Sequence, residues 1–500
     1  MSLFQISRLT FAWPGSYDNV FTNLNLRLDT GWKLGLTGRN GRGKTTLLRL
    51  ICGEEDYDGR IELQEHPCRF PAPVADPGRP VARVVRALAG EEAADWQIER
   101  ELDLLGLGEA ALGRPFASLS PGEQTRALLA ALFLQPEGYP LLDEPTNHLD
   151  AAGRALLGRY LRGQRRGFLL VSHDRMLLNE CADHILSLEK TGPLLIQGGY
   201  DDWQRETDRR DARELAENQR LTREIGRLEE GIRRTGAWAA QVEKSKFGTR
   251  NSGLRADRGY VGHQAARMMK RAKVIQARQQ KALAEKSTLL QDLETAEPLK
   301  LHPLPAPDGC LVRCRDLTVC YGDRPVFSGL TMELRSGERL ALRGRNGCGK
   351  TSLLRLICGQ PVPHTGLCET ASGLVISSLP QMAEAFAGTP ADYAEEFRLD
   401  RPLFFAILRK LGFARVQLEK PVCALSAGQQ KKLLLARSLC QPAQLYVWDE
   451  PLNYMDVLSR RQIEELILAC RPTLLFVEHD RAFCTRVATR TLVLDGAPET

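Results

Sequence analysis

The sequence predicts an α/β protein made of two copies of one domain joined by a long antiparallel α-helical hairpin. Three observations predict it. First, residues 38–46 read GRNGRGKTT, after an apolar run at 34–36 and before the helix-like LLRL at 47–50, which is a strand–loop–helix order. Second, the loop returns at 344–352 as GRNGCGKTS, with Lys350 306 residues after Lys44. Three more pairs keep that offset of 306: Ser120 and Ser426 (LSPGEQ, LSAGQQ), Asp143 and Asp449 (LDEPTN, WDEPLN), His173 and His479 (VSHD, VEHD). Third, a charged stretch without a counterpart separates the copies. The division expected is 3–204, 205–304 and 305–500.

Composition sets bounds. Five hundred residues, 43% of them hydrophobic, suit two or three domains with real cores. No apolar run approaches the ~20 residues of a membrane helix, so no membrane domain is expected. The opening MSLFQISRLTF alternates like a strand and lacks the apolar segment of a signal peptide. Thirteen scattered cysteines, an odd number, suit a reducing, cytoplasmic setting. Cys310 and Cys314 are spaced like half a metal site, but no second pair follows, so packing explains them.

The glycine-rich loop is built to cradle phosphate. Gly38, Gly41 and Gly43 let backbone N–H groups approach phosphate oxygens with no Cβ in the way. The following helix adds partial positive charge at its N-terminus. Lys44 is placed to reach the β- and γ-phosphates, and the Thr45 hydroxyl to ligate Mg²⁺. Arg39, Asn40, Arg42 and Thr46 complete the first loop. Gly344, Arg345, Asn346, Gly347, Cys348, Gly349, Lys350, Thr351 and Ser352 form the second, with Thr351 the metal ligand. Trp13 and Tyr321 precede the two loops and could stack on adenine; a strand aromatic packed in the core is the alternative.

Residues 139–150, YPLLDEPTNHLD, read as a buried strand ending in acids. Asp143 there would hold Mg²⁺, and Glu144 would orient or partly deprotonate the attacking water. His173 ends another apolar strand and can bond the γ-phosphate. LSPGEQ opens a long helix whose N-terminal N–H groups, with Ser120, Gly122 and Glu123, make a second anion site. Asp449, Glu450, His479, Ser426, Gly428 and Gln429 repeat the set. One domain cannot easily fold both anion sites onto one phosphate. Two domains facing head to tail can, each loop closing on the other copy's Ser-x-Gly helix, so the protein is expected to work as a monomer with an internal sandwich.

Together these motifs resemble ATP-binding cassette domains, and the resemblance covers both halves of the chain. It implies ATP hydrolysis with Mg²⁺. It also implies a Gln, between loop and signature, that touches Mg²⁺ and water. Gln381 in SSLPQ fits in the second copy. The first copy has Ala75 at the constant offset and Ala72 by local similarity. The site using Lys44 is therefore expected to turn over more slowly than the one using Lys350.

In the middle, Leu221, Ile225, Leu228 and Ile232 follow a coiled-coil seam, within a helix expected from Trp203 to about Arg234. Met268, Ile275, Ala282 and Leu289 recur every seven on the returning helix. About 32 residues make an arm of roughly 50 Å. Residues 235–264 carry five glycines, of which Gly248, Gly253, Gly259 and Gly262 break the helix period, so this stretch is expected to form the tip. Residues 231–290 hold 14 Lys and Arg against 3 Asp and Glu, a net charge of +11 that leaves −5 for the rest of the chain. With Trp238, Phe247 and Tyr260 interleaved, this suits a nucleic-acid phosphate surface.

Tandem cassettes, no membrane domain and a charged helical linker resemble the ABC-F family. WKLGLTGRNGRGKTT, LSAGQQKK and WDEPLNYMD look similar to its antibiotic-resistance branch, which protects ribosomes. The resemblance implies a ribosome partner, met through ribosomal RNA, with P-site tRNA as a further candidate contact. The linker would enter near the tRNA exit site and the peptidyl-transferase centre. A housekeeping translation factor, a transporter ATPase subunit and a DNA-repair ATPase are the rival readings.

Overall fold

The computed structural model describes residues 3–14, 19–90, 92–147, 149–189, 192–245, 298–307, 309–322, 324–383 and 386–494, with positions 267, 270, 274, 275, 277, 278 and 281. They form two compact units, Met1–Trp203 with Ala296–Thr500, and Gln204–Thr295.

In β1 (Leu3–Phe11) Phe4, Ile6, Leu9 and Phe11 are buried among more exposed neighbours, the alternation of a half-covered strand. It pairs antiparallel with β2 (Phe21–Asp29); β3 (Lys33–Gly38) leaves for another sheet, and β4 (Asp58–Glu62) returns to β1. The strand-rich opening is thus a small sheet of its own. β5 (His66–Phe70), β6 (Gly138–Asp143), β7 (Phe168–Val171), β8 (His184–Glu189) and β9 (Gly192–Gln197) join β3 in the order β5-β6-β7-β3-β8-β9. All its pairings are parallel except β8–β9. The continuous apolar runs of β6 and β7 reflect burial on both faces. Leu141 and Leu169 pack under the small sheet, whereas Leu142 and Leu170 join a core with Leu102 and Leu129 from the helical side.

The second cassette repeats this. β10 (Cys310–Tyr321), β11 (Arg324–Arg335) and β13 (His364–Thr370) make the small sheet. β12 (Arg339–Arg343), β14 (Ile376–Leu379), β15 (Leu445–Asp449), β16 (Leu474–Val477) and β17 (Arg490–Val493) make the large one, ordered β14-β15-β16-β12-β17. Cys310 and Cys314 are packing residues of β10, and the Cys314 thiol lies 3.6 Å from that of Cys368.

Register positions the chemistry. Leu36, Val171 and Asp143 lie level across β3, β7 and β6, and Leu342, Val477 and Asp449 across β12, β16 and β15. Because these strands are parallel, their C-terminal ends open on one edge, where α/β sheets take ligands.

Tyr200–Ser245 is one 46-residue helix, roughly 70 Å at 1.5 Å per residue. The sequence expectation ended it near Arg234; it runs on because residues 235–245 contain one glycine among good helix formers, a cost of about 1 kcal/mol. Leu221, Ile225, Leu228 and Ile232 are half-buried along it, as a seam requires. Tyr200 and Trp203 at its head are 2% and 6% exposed, rooted in the first cassette. Ile275 is helical and 46% exposed. The glycine-rich stretch 246–264 and Met268, Ala282 and Leu289 lie outside the described residues. No helix among the described residues is long and apolar enough to cross a membrane.

Candidate active sites

Each phosphate loop is held open by its own lysine. Lys44 Nζ donates to the Gly38 and Arg39 carbonyls at 2.8 and 3.1 Å, and Lys350 Nζ to those of Gly344 and Arg345 at 2.9 and 2.7 Å. Both lysines are buried at the head of the loop helices Lys44–Ile51 and Lys350–Ile357. Gly43 and Gly349 cap these helices at φ 81° and 90°, where a Cβ would strike Phe21 or Phe327 at 2.7 Å. Glycine is thus required on both conformational and steric grounds.

At the strand ends, Thr45 Oγ1 donates to Asp143 Oδ1 at 3.3 Å, and Thr351 Oγ1 to Asp449 Oδ2 at 2.7 Å. The other carboxylate oxygen of Asp449, Oδ1, is buried without a hydrogen-bond partner. One carboxylate and one hydroxyl, both hard oxygen donors, fit Mg²⁺, which takes its remaining ligands from phosphate and water. Burial raises both aspartates, opposed by these hydroxyls and, at Asp143, by Arg69.

The adjacent glutamates sit in the left-handed region, Glu144 at φ 47° and Glu450 at φ 48°, a strained conformation for a residue with a side chain. Their amides are fixed to the Val171 and Val477 carbonyls at 2.9 and 3.0 Å, which sets the turn at each strand end. His173 Nε2 lies 3.5 Å from Glu144 Oε1, and His479 Nε2 lies 3.4 Å from Glu450 Oε1. Aspartate, glutamate and histidine thus converge as the four repeated motifs required.

The two sites are not alike. Gln381 Nε2 donates to Glu450 Oε2 at 3.0 Å, and Asn453 donates to the same oxygen. Burial works to raise Glu450, but His479, Gln381 and Lys431 outweigh it and hold the carboxyl below its ordinary value. In the first cassette burial dominates, and Glu144 is pushed up to about 7 despite Lys44 and Arg460. Strand register identifies the missing glutamine. Phe70 pairs with Leu142 as Leu379 pairs with Trp448, so Ala72, not Ala75, matches Gln381. Near that place the first cassette brings Arg69, 4.0 Å from Asp143 Oδ2 and 2.8 Å from Glu54.

The signature serines are helix caps. Ser120 N and Oγ both donate to Glu123 Oε2 at 2.8 Å, and Ser426 N donates to Gln429 Oε1 at 2.9 Å. Glu123 and Gln429 therefore turn back on their own caps at the heads of helices Pro121–Leu134 and Ala427–Cys440, where Ser120 and Ser426 stay exposed. Gly122 lies in the first turn of its helix. At Gly428 a Cβ would meet the Asn40 amide at 2.7 Å and the Tyr454 carbonyl at 2.5 Å. Asn40 Nδ2 donates to the Tyr454 carbonyl at 2.8 Å, and Asn40 N to Asp456 Oδ2 at 3.5 Å. The first phosphate loop therefore meets the second cassette's signature helix head to tail. The residue matching Tyr454 at the opposite pairing is His148, outside the described residues.

The Tyr321 hydroxyl lies 3.0 Å from Ser352 Oγ and its ring is half exposed beside the second loop. Trp13 packs edge-on against Phe11 at 5.2 Å, with the Arg49 guanidinium 5.7 Å from its ring. Arg39, Arg42, Thr46, Asn346 and Gly347 take their places in the loops; Cys348 Sγ stands 4.0 Å from Lys350 Nζ.

Sequence reading missed three polar groups packed behind the sites. Lys432 donates to Asp456 Oδ2 at 2.5 Å and to the Leu411 carbonyl at 2.8 Å. Arg175, two residues after His173, reaches Glu464 of the second cassette at 3.5 Å and lies over the Tyr200 ring at 5.8 Å. Lys431 is 2% exposed, and burial pushes it down to about 8 although carboxylates surround it. For the two lysines the sequence signal was their place just before the apolar run LLLA inside the signature helix.

The profile of the ABC transporter family matches residues 21–147 and 327–453. The chain is similar to the ATP-binding protein Uup of Caulobacter vibrioides, 28% identical over 95% of this chain and 75% of the relative. It is 28% identical to the ribosome protection protein VmlR of Bacillus subtilis, over 95% of this chain and 84% of the relative. It is 26% identical to the energy-dependent translational throttle protein EttA of Haemophilus influenzae, over 95% and 89%. Among solved structures, a ribosome-bound archaeal Pelota and ABCE1 complex has a similar chain: TM-score 0.61, 21% identity, 95% of this chain and 74% of that one. At that identity the likeness supports the fold alone. The relatives agree with the ABC-F resemblance read from the motifs. The chain belongs to the ABC transporter family as an ATPase carrying two ATP-binding cassettes in one polypeptide.

Proposed function

We propose that this protein is an ABC-F ATPase that binds the ribosome and confers antibiotic resistance by ribosomal protection. Similarity to a ribosome protection protein along nearly the whole chain carries this reading. The division proposed is a cassette at 3–204, a linker at 205–304 and a cassette at 305–500. The +11 charge of residues 231–290 supports a nucleic-acid partner. The linker would reach toward the tRNA exit site and peptidyl-transferase centre from a protein acting in the cytoplasm.

At each site Lys44 or Lys350 exchanges its carbonyl partners for the β- and γ-phosphates of ATP. Mg²⁺ would be held by Thr45 and Asp143, and by Thr351, Asp449 and Gln381, and would offset charge on the phosphates. Glu144 and Glu450 orient the attacking water and accept its proton, and His173 and His479 bond the γ-phosphate. The opposite signature helix, through Ser426 and Gly428 or Ser120 and Gly122, closes on that phosphate. ATP therefore favours the closed sandwich and hydrolysis releases it, so nucleotide state sets ribosome occupancy.

The test is the double variant Glu144→Gln, Glu450→Gln. With ATP it should co-sediment with ribosomes on a sucrose gradient and raise no resistance in cells. Free protein at the top of the gradient refutes the reading. Wild-type expression should raise the drug tolerance of a susceptible host. The similarity to a translational throttle protein favours a second reading, a housekeeping translation factor, which predicts ribosome binding with unchanged drug susceptibility.

A further inference from the structure

Lys431 lies on the second signature helix, five residues after Ser426, yet its charged end points away from the signature. Its Nζ donates to three carbonyls: Pro380 at 2.9 Å, Gln381 at 3.1 Å and Asp449 at 2.8 Å. An ammonium has three N–H donors, so all three are used. The first two carbonyls belong to the loop that carries Gln381, and the third to the strand end that carries Asp449 and Glu450. One buried cation therefore joins two backbone segments whose side chains must meet: Gln381 Nε2 on Glu450 Oε2 at 3.0 Å.

The first cassette lacks the device. Thr125 stands where Lys431 does, and its hydroxyl bonds the Pro121 carbonyl of its own helix at 2.9 Å. It also lacks the glutamine, with Ala72 in that place. The lysine and the glutamine are about 50 residues apart in sequence, and the cassette that has one has the other.

We propose that Lys431 is a positioning residue of the second ATP site, which fixes the Gln381 loop against the Asp449–Glu450 strand end so that the Gln381 amide stays on Glu450. This rests on the assignment of Glu450 and Gln381 to that site. The three N–H donors of Lys431 are all spent on the Pro380, Gln381 and Asp449 carbonyls, so the lysine acts through Gln381.

A double-mutant cycle in the Glu144→Gln background, where only the second site turns over, tests this. Gln381→Ala alone should lower single-turnover kcat at least about tenfold. Lys431→Thr, which installs the first cassette's residue, should cost a similar factor, with the KM for ATP changed less than about twofold. The double variant should be no slower than Gln381→Ala. Residual turnover in the Glu450→Gln background, read at the first site, should be unaffected by Lys431→Thr. Multiplying losses, or equal losses in both backgrounds, overturns the proposal. If Lys431→Thr does not fold, Lys431→Gln, which keeps two N–H donors, carries the same cycle. If Gln381→Ala itself leaves kcat unchanged, the assignment of the site fails instead.

Discussion

Glu144→Gln and Glu450→Gln should leave very unequal ATPases. Glu144→Gln should silence the first site and report the second, and Glu450→Gln should do the reverse. The second site holds its glutamate with the Gln381 amide at 3.0 Å, and the first has Ala72 there. A hydrogen bond to a charged group is worth about 1.5–3 kcal/mol, or about 10- to 100-fold in rate if the transition state uses it fully. Protonation adds to this. Glu144 is pushed up to about 7 by burial, so near neutrality about half of it cannot accept a proton, whereas Glu450 stays ionised. The sign follows: kcat/KM at the first site should rise about tenfold from pH 6 to 8, and at the second stay nearly flat. Single-turnover hydrolysis of radiolabelled ATP in the two variants, repeated across that range, is the assay. Residual rates equal within about twofold at pH 8, where protonation no longer separates the sites, would refute the glutamine argument. Parallel pH profiles would refute the burial argument.

Other consequences follow from the packing behind the sites. Lys432→Met leaves the Asp456 carboxylate buried at 1% exposure without its cation, which should cost about 3–5 kcal/mol in denaturant unfolding. Burial opposes Asp456 ionisation but Lys432 overcomes it, holding the carboxyl below its usual range. Its contribution is therefore present above about pH 4 and lost as pH falls below that, so the variant's stability should fall less steeply in acid. Arg175→Ala removes a contact between cassettes but leaves Glu464 paired with Arg486 at 2.7 Å, so the loss should be modest, about 1–2 kcal/mol. A fluorescence pair across the two cassettes should then need about tenfold more ATP to reach half closure. The proposed ribosome binding, if carried by the basic linker, should weaken at least about tenfold between 50 and 200 mM salt, and charge-neutral substitutions in 231–290 should flatten that slope.

The parts of this protein legible in its sequence are those whose chemistry forces residue types at short range. A phosphate loop needs Gly43 at φ 81° and a lysine beside it, and a catalytic strand needs an acid at its buried end, so GRNGRGKTT and LLDEP announce themselves. The constant offset of 306 turned those local patterns into two cassettes. What stayed hidden depends on strand register and side-chain reach. Counting residues left Ala72 and Ala75 equally eligible to match Gln381, and only the pairing of Phe70 with Leu142 decided between them. Composition and seam spacing ended the linker helix near Arg234, whereas it continues to Ser245 through Gly236, which costs only about 1 kcal/mol. Lys431 looked like an ordinary polar residue on a helix, since nothing in QQKKLLL says that one lysine turns inward onto three carbonyls. The two cassettes match in the residues that bind phosphate and differ in the residues behind them. Phosphate binding keeps the loop's glycines, lysine and following threonine, so the loops differ only at Arg42 against Cys348 and Thr46 against Ser352, whereas behind the sites the first cassette has Ala72 and Thr125 where the second has Gln381 and Lys431. On the proposal made for Lys431, the difference between Lys431 and Thr125 should therefore make the two sites turn over at different rates.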